Sequence, residues 1–270
     1  MRGLVACLLC GLSWLHGLAV AAEVFASGVT EAVHDAALSV TASGRVEHIK
    51  VKQGQRVKKG QLLLYLDREL EALEVKRREI TLADVARMND LRERENVLRE
   101  QVALARELMR SGGVTRKQVE DESMALRGVV AEREALEYAK KREQVELDLA
   151  REAYQRRHLY APISGVITKI LVRPGESVEA NAPSLRLMDV SRVRFVGTFS
   201  AASGVEPRVG SKAKLRLGYG EQTQTREATI TFVSPAVDTA SGLIELTAEM
   251  DNHVNPVRPG VIGQLLLQGK

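Results

Sequence analysis

One β-like unit is written twice in this chain, and the repetition limits the fold more than any other feature. The stretch SGRVEHIKVKQGQRVKKGQLLLYLD (43–67) recurs in form as SGVITKILVRPGESVEANAPSLRLMD (164–189). Setting Gly44 on Gly165 gives an offset of 121, which also pairs Val46 with Ile167, Ile49 with Ile170, Val51 with Val172, Gly54 with Gly175 and Val57 with Val178. Each copy alternates apolar positions as a half-buried strand does, turns at a glycine, and opens a second short strand at Val57 or Val178. Gly44, Gly54, Gly60, Gly165 and Gly175 are expected at the turns, since a residue without Cβ adopts positive φ cheaply. Asn181 faces Gly60, and Asn is the next-best occupant of such a position. An extra residue near Pro183 is then expected to align Asp67 with Asp189. A unit this small cannot bury both faces, whereas two related by a pseudo-twofold can enclose one core. The copies read as halves of a single domain.

Between them, residues 68–158 hold no proline and three glycines and are crowded with Glu, Arg, Leu, Ala, Lys and Gln, all strong helix formers. Leu91, Leu98 and Ala105 recur every seven residues, with Val102 and Met109 at the alternate heptad position. On the return arm Val129, Leu136, Val145 and Leu149 keep fragments of that pattern. Gly112-Gly113, flanked by Ser111 and Thr115, is the expected turn, with Thr115 as N-cap of the second helix. Two helices of about 42 residues, at ~1.5 Å per residue, give a hairpin of roughly 60 Å. Most of its charge reads as a solvated surface laced with pairs such as Glu95 with Arg99.

The two ends differ in character. Met1-Arg2, the apolar run Leu4–Val20 and the small residues Ala19 to Ala22 read as a secretory signal peptide over 1–22, with an uncleaved anchor as the rival. Leu4-Val5-Ala6-Cys7 faintly resembles a lipoprotein signal, but the apolar run continues past Cys7. Cys7 and Cys10 both lie in this segment, so the remainder of the chain has no thiol chemistry. After Asp189, five alternating stretches (Val193–Phe199, Ala213–Leu217, Ala228–Val233, Leu243–Met250, Val261–Leu267) are separated by Gly, Pro, Asn and Asp. They predict a small antiparallel barrel, with Pro235, Asp238, Pro259 and Gly260 at turns.

The 39 basic and 35 acidic residues are interspersed, which argues against a nucleic-acid partner. No HExxH, GxSxG or P-loop is present, and His34-Asp35 reads as surface, so no enzyme is expected. Met88, Met109, Met124, Met188 and Met250 are dispersed, those on helices as packing residues, and no metal or cofactor is expected.

The repeated unit, its Tyr160-Ala161-Pro162-Ile163-Ser164-Gly165-Val166-Ile167 entry and the Val233-Ser234-Pro235-Ala236-Val237-Asp238-Thr239 and Arg258-Pro259-Gly260 segments resemble the periplasmic adaptor, or membrane fusion, proteins of bacterial efflux and secretion systems. The resemblance implies an α+β chain: a biotinyl/lipoyl-like domain split into 23–67 and 159–189, a coiled-coil α-hairpin inserted at 68–158, and a β-barrel over 190–270. It implies no carrier role, because Asp67 runs into Arg68-Glu69-Leu70 where a carrier has its modified-lysine turn. It also implies partners: an inner-membrane transporter of the resistance-nodulation-division (RND) class, an outer-membrane channel, and sister subunits in a ring. The location implied is the periplasm, at the inner membrane.

Adaptors of RND pumps carry a tip motif resembling Arg-x3-Leu-x6-Ser. Leu108-x6-Thr115 fits its second half, making Leu108, Gly112, Gly113, Val114 and Thr115 the expected docking residues, but Leu104 stands in the place of the arginine, with Arg106 and Arg110 nearby. The membrane-proximal domain of many such adaptors has no counterpart in the residues read here, which describes a minimal adaptor. An ABC-type or type I secretion adaptor, and a structural periplasm-spanning coiled coil, are the alternatives.

Overall fold

The computed structural model describes residues 23–218, 223–254 and 256–267; the expected signal peptide, 1–22, lies outside them. In chain order the elements are β1 (Val24–Ser39), β2 (Gly44–Ile49), β3 (Arg56–Val57), β4 (Leu62–Leu66), α1 (Glu69–Ala83), α2 (Ala86–Arg110), α3 (Arg116–Gln155), β5 (His158–Tyr160), β6 (Gly165–Ile170), β7 (Ser177–Val178), β8 (Pro183–Ser200), β9 (Lys212–Leu217), β10 (Gln224–Val233), β11 (Leu243–Asp251) and β12 (Ile262–Leu267). They form two compact units, one of His34–Asp189, the other of the described residues up to Val33 together with those from Val190 onward.

In the first unit the repeat is a symmetry of hydrogen bonds. Gly54 N donates to Ile167 O (2.7 Å) and Gly175 N to Val46 O (2.8 Å); Ile167 N donates to Gln55 O (3.0 Å) and Val46 N to Glu176 O (2.8 Å). The Gln55 side chain accepts from Lys52 N at 2.9 Å, as Glu176 accepts from Arg173 N at 2.8 Å. Each half lends its short strand to the other: β7 pairs with β2, and β3 with β6. The shared core takes Val46, Val51, Val57, Leu64 and Leu66 from one half and Ile167, Val172, Val178, Leu185 and Leu187 from the other. The offset of 121 runs without a gap through the second long strand of each half. Ile49 pairs with Leu64 and Ile170 with Leu185; Val46 pairs with Leu66 and Ile167 with Leu187, each ladder bulged at the same step. No extra residue enters near Pro183, so Met188, not Asp189, is the counterpart of Asp67: two aspartates one position apart suggested an insertion that the ladder excludes.

The helical insertion departs from two continuous helices. The outgoing arm is α1, of 15 residues, and α2, of 25, antiparallel to the 40 residues of α3. The break falls at Asp84-Val85, where Asp84 has extended ψ (107°) and its Oδ1 accepts from Ala86 N at 3.1 Å, starting a new helix. The carbonyls of Thr81 and Leu82, released by the break, accept from Lys140 Nζ on α3 at 3.0 and 3.1 Å. The seam of α2 is Met88, Leu91, Glu95, Val102 and Ala105, all buried, whereas Met109 is exposed. Glu95 occupies a core heptad position and is held by Arg133 and Arg99, each at 2.5 Å. On α3 the heptad is unbroken: Val119, Leu126, Arg133, Lys140 and Leu147 recur every seven residues along the inner face. Two of these five are cations, which is why only fragments of the pattern read as apolar. Val145 and Leu149 are exposed on the outside, so the return arm was legible at Val129 and Leu136 only.

The second unit is a closed six-stranded barrel in the order β1-β12-β9-β10-β11-β8, with β8 returning to β1. Its core is Ala26, Val193, Phe195, Leu215, Ile230, Leu246, Ala248, Leu265 and neighbours. Five strands stand where the alternating stretches predicted them. The sixth, β1, pairs Val24 with Leu267 through Val29 with Ile262. Residues 23–33, expected in the first lipoyl half, therefore belong to the barrel: their Ala, Ser, Gly and Thr content gives weak alternation, and the pairing partner is more than two hundred residues away.

Candidate functional site

The functional surfaces of a fold without catalytic groupings are its ends and faces. At the hairpin tip α2 closes in a Schellman turn: Gly113 N donates to Leu108 O (2.8 Å), and Gly112 N to Met109 O (3.1 Å) with Gly112 at φ 80°. Thr115 Oγ1 accepts from Gln118 N at 3.3 Å, the expected N-cap of α3. Val114 is half-buried and Val119 buried, so they seat the turn rather than face a partner. Leu104 and Leu108 stand exposed at 57% and 41% on one side of α2, with Arg106 and Arg110 exposed on the other. The tip end of α2 carries a short apolar ridge on one side and two cations on the other.

Of the expected lipoyl turn glycines, Gly54, Gly60 and Gly175 have φ between 81° and 87° and open space around them. Asn181 shares the left-handed backbone, at φ 65°. Gly44 and Gly165 are not turn residues; they open strands β2 and β6. A Cβ on Gly165 would stand 2.4 Å from Met188 O, and one on Gly44 2.5 Å from Arg157 Nη1. Close packing against backbone, not positive φ, selects glycine at 165, whereas at 44 the obstructing atom is the end of a flexible side chain. In the barrel, Pro235 and Asp238 lie in the β10–β11 connection and Pro259-Gly260 turns into β12. The Asp238 carboxylate accepts from Ser241 N, Ala240 N and the Ser241 hydroxyl, and these bonds, those from Ser241 foremost, hold its carboxyl below the usual range. Its role is to build the turn. Asp35 is paired with Arg186 at 2.8 Å.

Two surfaces escaped the sequence reading. On α3 the face turned about 140–160° from the seam carries Met124, Ala131, Tyr138 and Val145 at intervals of seven, with Leu149 at the alternate position, and Tyr138 is 65% exposed. On α1 the outward face carries Leu70, Leu73 and Ile80, with Leu70 79% exposed. Since each helix turns its seam toward the other, these apolar faces point away from each other. The signal was present as a second heptad, masked by the charged residues around it. The other surface is a ring cluster at the hairpin foot, where Tyr65, Tyr154 and His158 surround Arg68 and Tyr160 stacks on His158. Among the described residues no group of His, Cys, Asp and Glu could hold a metal ion, and no helix is long and apolar enough to cross a membrane.

A split lipoyl-like domain bearing a helical hairpin, with a six-stranded barrel, defines an adaptor architecture. The model of the barrel-sandwich hybrid domain of RND membrane fusion proteins matches residues 35–189, more than half the chain, and the chain belongs to this family of periplasmic adaptors, which are not enzymes. An uncharacterized protein of Haemophilus influenzae is 24% identical over 229 residues, 83% of this chain and 52% of that protein. The macrolide export protein MacA of Escherichia coli O157:H7 is 25% identical over 252 residues, 91% of this chain and 68% of MacA. The chain thus spans about half the length of the first of these relatives. The crystal structure of MacA from Actinobacillus actinomycetemcomitans has the same fold, with a TM-score of 0.74 at 19% identity over 91% of this chain and 78% of that one.

Proposed function

We propose that this adaptor joins an inner-membrane transporter to an outer-membrane channel in the periplasm and seals the conduit between them by ring assembly. The observation that carries the reading is the hairpin: it leaves the lipoyl-like domain where a carrier would present its lysine, and both its outer faces are apolar at heptad spacing. Such faces suit sister hairpins at either side, and the Leu104–Leu108 ridge suits an apolar groove at the far end. The matched family supports a transporter of the RND class. The similarity to MacA supports the second reading, an ABC-type partner, while Leu104, where the RND tip motif has arginine, is a departure at the channel end.

A single cysteine at position 113 tests the bridge. Gly113 is outside the positive-φ region, and an added Cβ meets nothing closer than 3.5 Å, so Gly113→Cys keeps the turn, which Gly112→Cys would strain. In-cell crosslinking from this position captures an outer-membrane channel if the proposal holds. Capture of sister subunits or scaffold proteins alone, at normal expression, would replace it with a purely structural role.

A further inference from the structure

The ring cluster at the hairpin foot has a chemistry that bridging does not use. Arg68 is the residue from which α1 starts, and it makes no side-chain cap there. Its guanidinium lies over the Tyr65 ring at 3.9 Å and toward the Tyr154 ring at 5.7 Å, and it hydrogen-bonds the Nε2 of His158. An arginine only donates, so Nε2 accepts. The other nitrogen, Nδ1, lies 2.9 Å from Tyr154 O, a carbonyl that only accepts, so Nδ1 carries the proton. The geometry therefore specifies a neutral imidazole of one tautomer, with its lone pair committed to a cation.

The contact also ties one foot of the hairpin to the other. Arg68 precedes α1, and His158 opens β5 directly after α3. The groups facing the imidazole are Arg68 before α1, Tyr65 on β4, Tyr154 on α3 and Tyr160 on β5, stacked at 5.9 Å; none is a carboxylate. Lys50 and His48 lie against Tyr65 and reach the imidazole only through that ring. A protonated imidazole would keep the backbone carbonyls of Tyr154 and Gln155 but would face the guanidinium and the phenol rings, with no carboxylate among these groups to turn to. A second tie, Arg157 to Glu71 at 2.6 Å, contains no imidazole and keeps α1 attached when the first opens.

We propose that the Arg68–His158 contact is a proton-operated latch at the root of the hairpin: closed while the imidazole is neutral, opened when it takes a proton and expels Arg68. Opening frees the first turn of α1, so acid softens the attachment of the outgoing arm while Glu71–Arg157 preserves the fold. The inference goes beyond the bridging role and does not depend on which partners the tip and barrel meet.

Burial, joined by the nearby Arg68 charge, lowers the His158 pKa below its ordinary 6.5. The folded chain then binds this proton less readily than the unfolded chain. The stability held by the neutral form is complete above the unfolded pKa and declines as pH falls through that value toward the lower folded one.

The test uses the chain from residue 23 onward, whose four histidines (His34, His48, His158, His253) are separable by ¹⁵N imidazole NMR. His158 is expected to show the Nδ1–H tautomer and to titrate below the ordinary 6.5. Amide exchange in the first turn of α1, corrected for intrinsic rates, is expected to accelerate about tenfold between about pH 8 and about pH 5. In His158→Gln, whose amide oxygen accepts from Arg68 but does not titrate, that acceleration disappears. Arg68→Gln, an independent variant, moves the His158 titration upward. A His158 that titrates at or above 6.5, or an acceleration unchanged in His158→Gln, overturns the latch.

Discussion

At the scale of single residues, two glycines both expected at turns answer to different physics. Gly54 sits at φ 84° with nothing near a prospective Cβ, so Gly54→Ala carries only the left-handed backbone penalty, about 1 kcal/mol. Gly165 has ordinary φ but no room: its Cβ would enter the Met188 carbonyl, which is part of the β6–β8 ladder and cannot step aside. Gly165→Ala is therefore expected to cost more, about 2 to 3 kcal/mol, by overpacking. Urea denaturation followed by far-ultraviolet circular dichroism ranks the two, and equal costs would mean that β6 shifts freely. The repeat showed which positions are equivalent because Gly54 and Gly175 must turn and Val46 and Ile167 must be buried. It could not show why Gly165 is glycine, since the obstructing carbonyl belongs to a strand more than twenty residues on. Nor could it reveal the Arg68–His158 contact, made of residues ninety positions apart with no periodic signature.

At the scale of elements, the hairpin is an antiparallel coiled coil whose seam is partly ionic, and that composition explains what was readable. Leu91, Leu98 and Ala105 announced α2 because their partners in the heptad, Glu95 excepted, are also apolar. Arg133 and Lys140 concealed the register of α3 because a cation at a core position looks like surface until its partner is known. The Lys140 ammonium covers the carbonyls that the Asp84-Val85 break leaves open. Charged donors to backbone carbonyls are worth about 1.5 to 3 kcal/mol each where water is excluded, and less at this half-open site. Lys140→Met, which keeps the stem without the ammonium, is expected to cost about 1 to 2 kcal/mol. Amides around the break should exchange faster, with those at the tip unchanged. If exchange rises evenly along α3 instead, Lys140 supports the seam and not the break. The break itself was marked in sequence by Asp84 followed by β-branched Val85, a weak signal beside the many strong helix formers around it.

At the scale of the whole molecule, the outward faces of α1 and α3 determine what assembly is possible. They point in opposite directions from one hairpin, so sister chains standing side by side would set the α1 face of one against the α3 face of the next, a heterologous contact that closes only as a ring. The heights agree: Arg78 reaches Glu143 and Glu146 at 3.7 and 3.6 Å, and Lys140 reaches Thr81 and Leu82, so Ile80 stands level with the stretch from Tyr138 to Val145. In a ring of copies at one height, Ile80 of one chain meets that stretch of its neighbour. Ile80→Glu and Tyr138→Glu, each placing a charge in one face and touching no seam residue, are each expected to leave the chain monomeric by native mass spectrometry. An equimolar mixture is expected to form dimers and stop there, because the Ile80→Glu chain still offers its α3 face and the Tyr138→Glu chain its α1 face. If each face paired with its own kind, Ile80→Glu alone would dimerise through α3, and a mixture would give two homodimers instead of one heterodimer. The mixing result thus separates a ring-closing contact from a two-fold one, and only the former could surround a conduit.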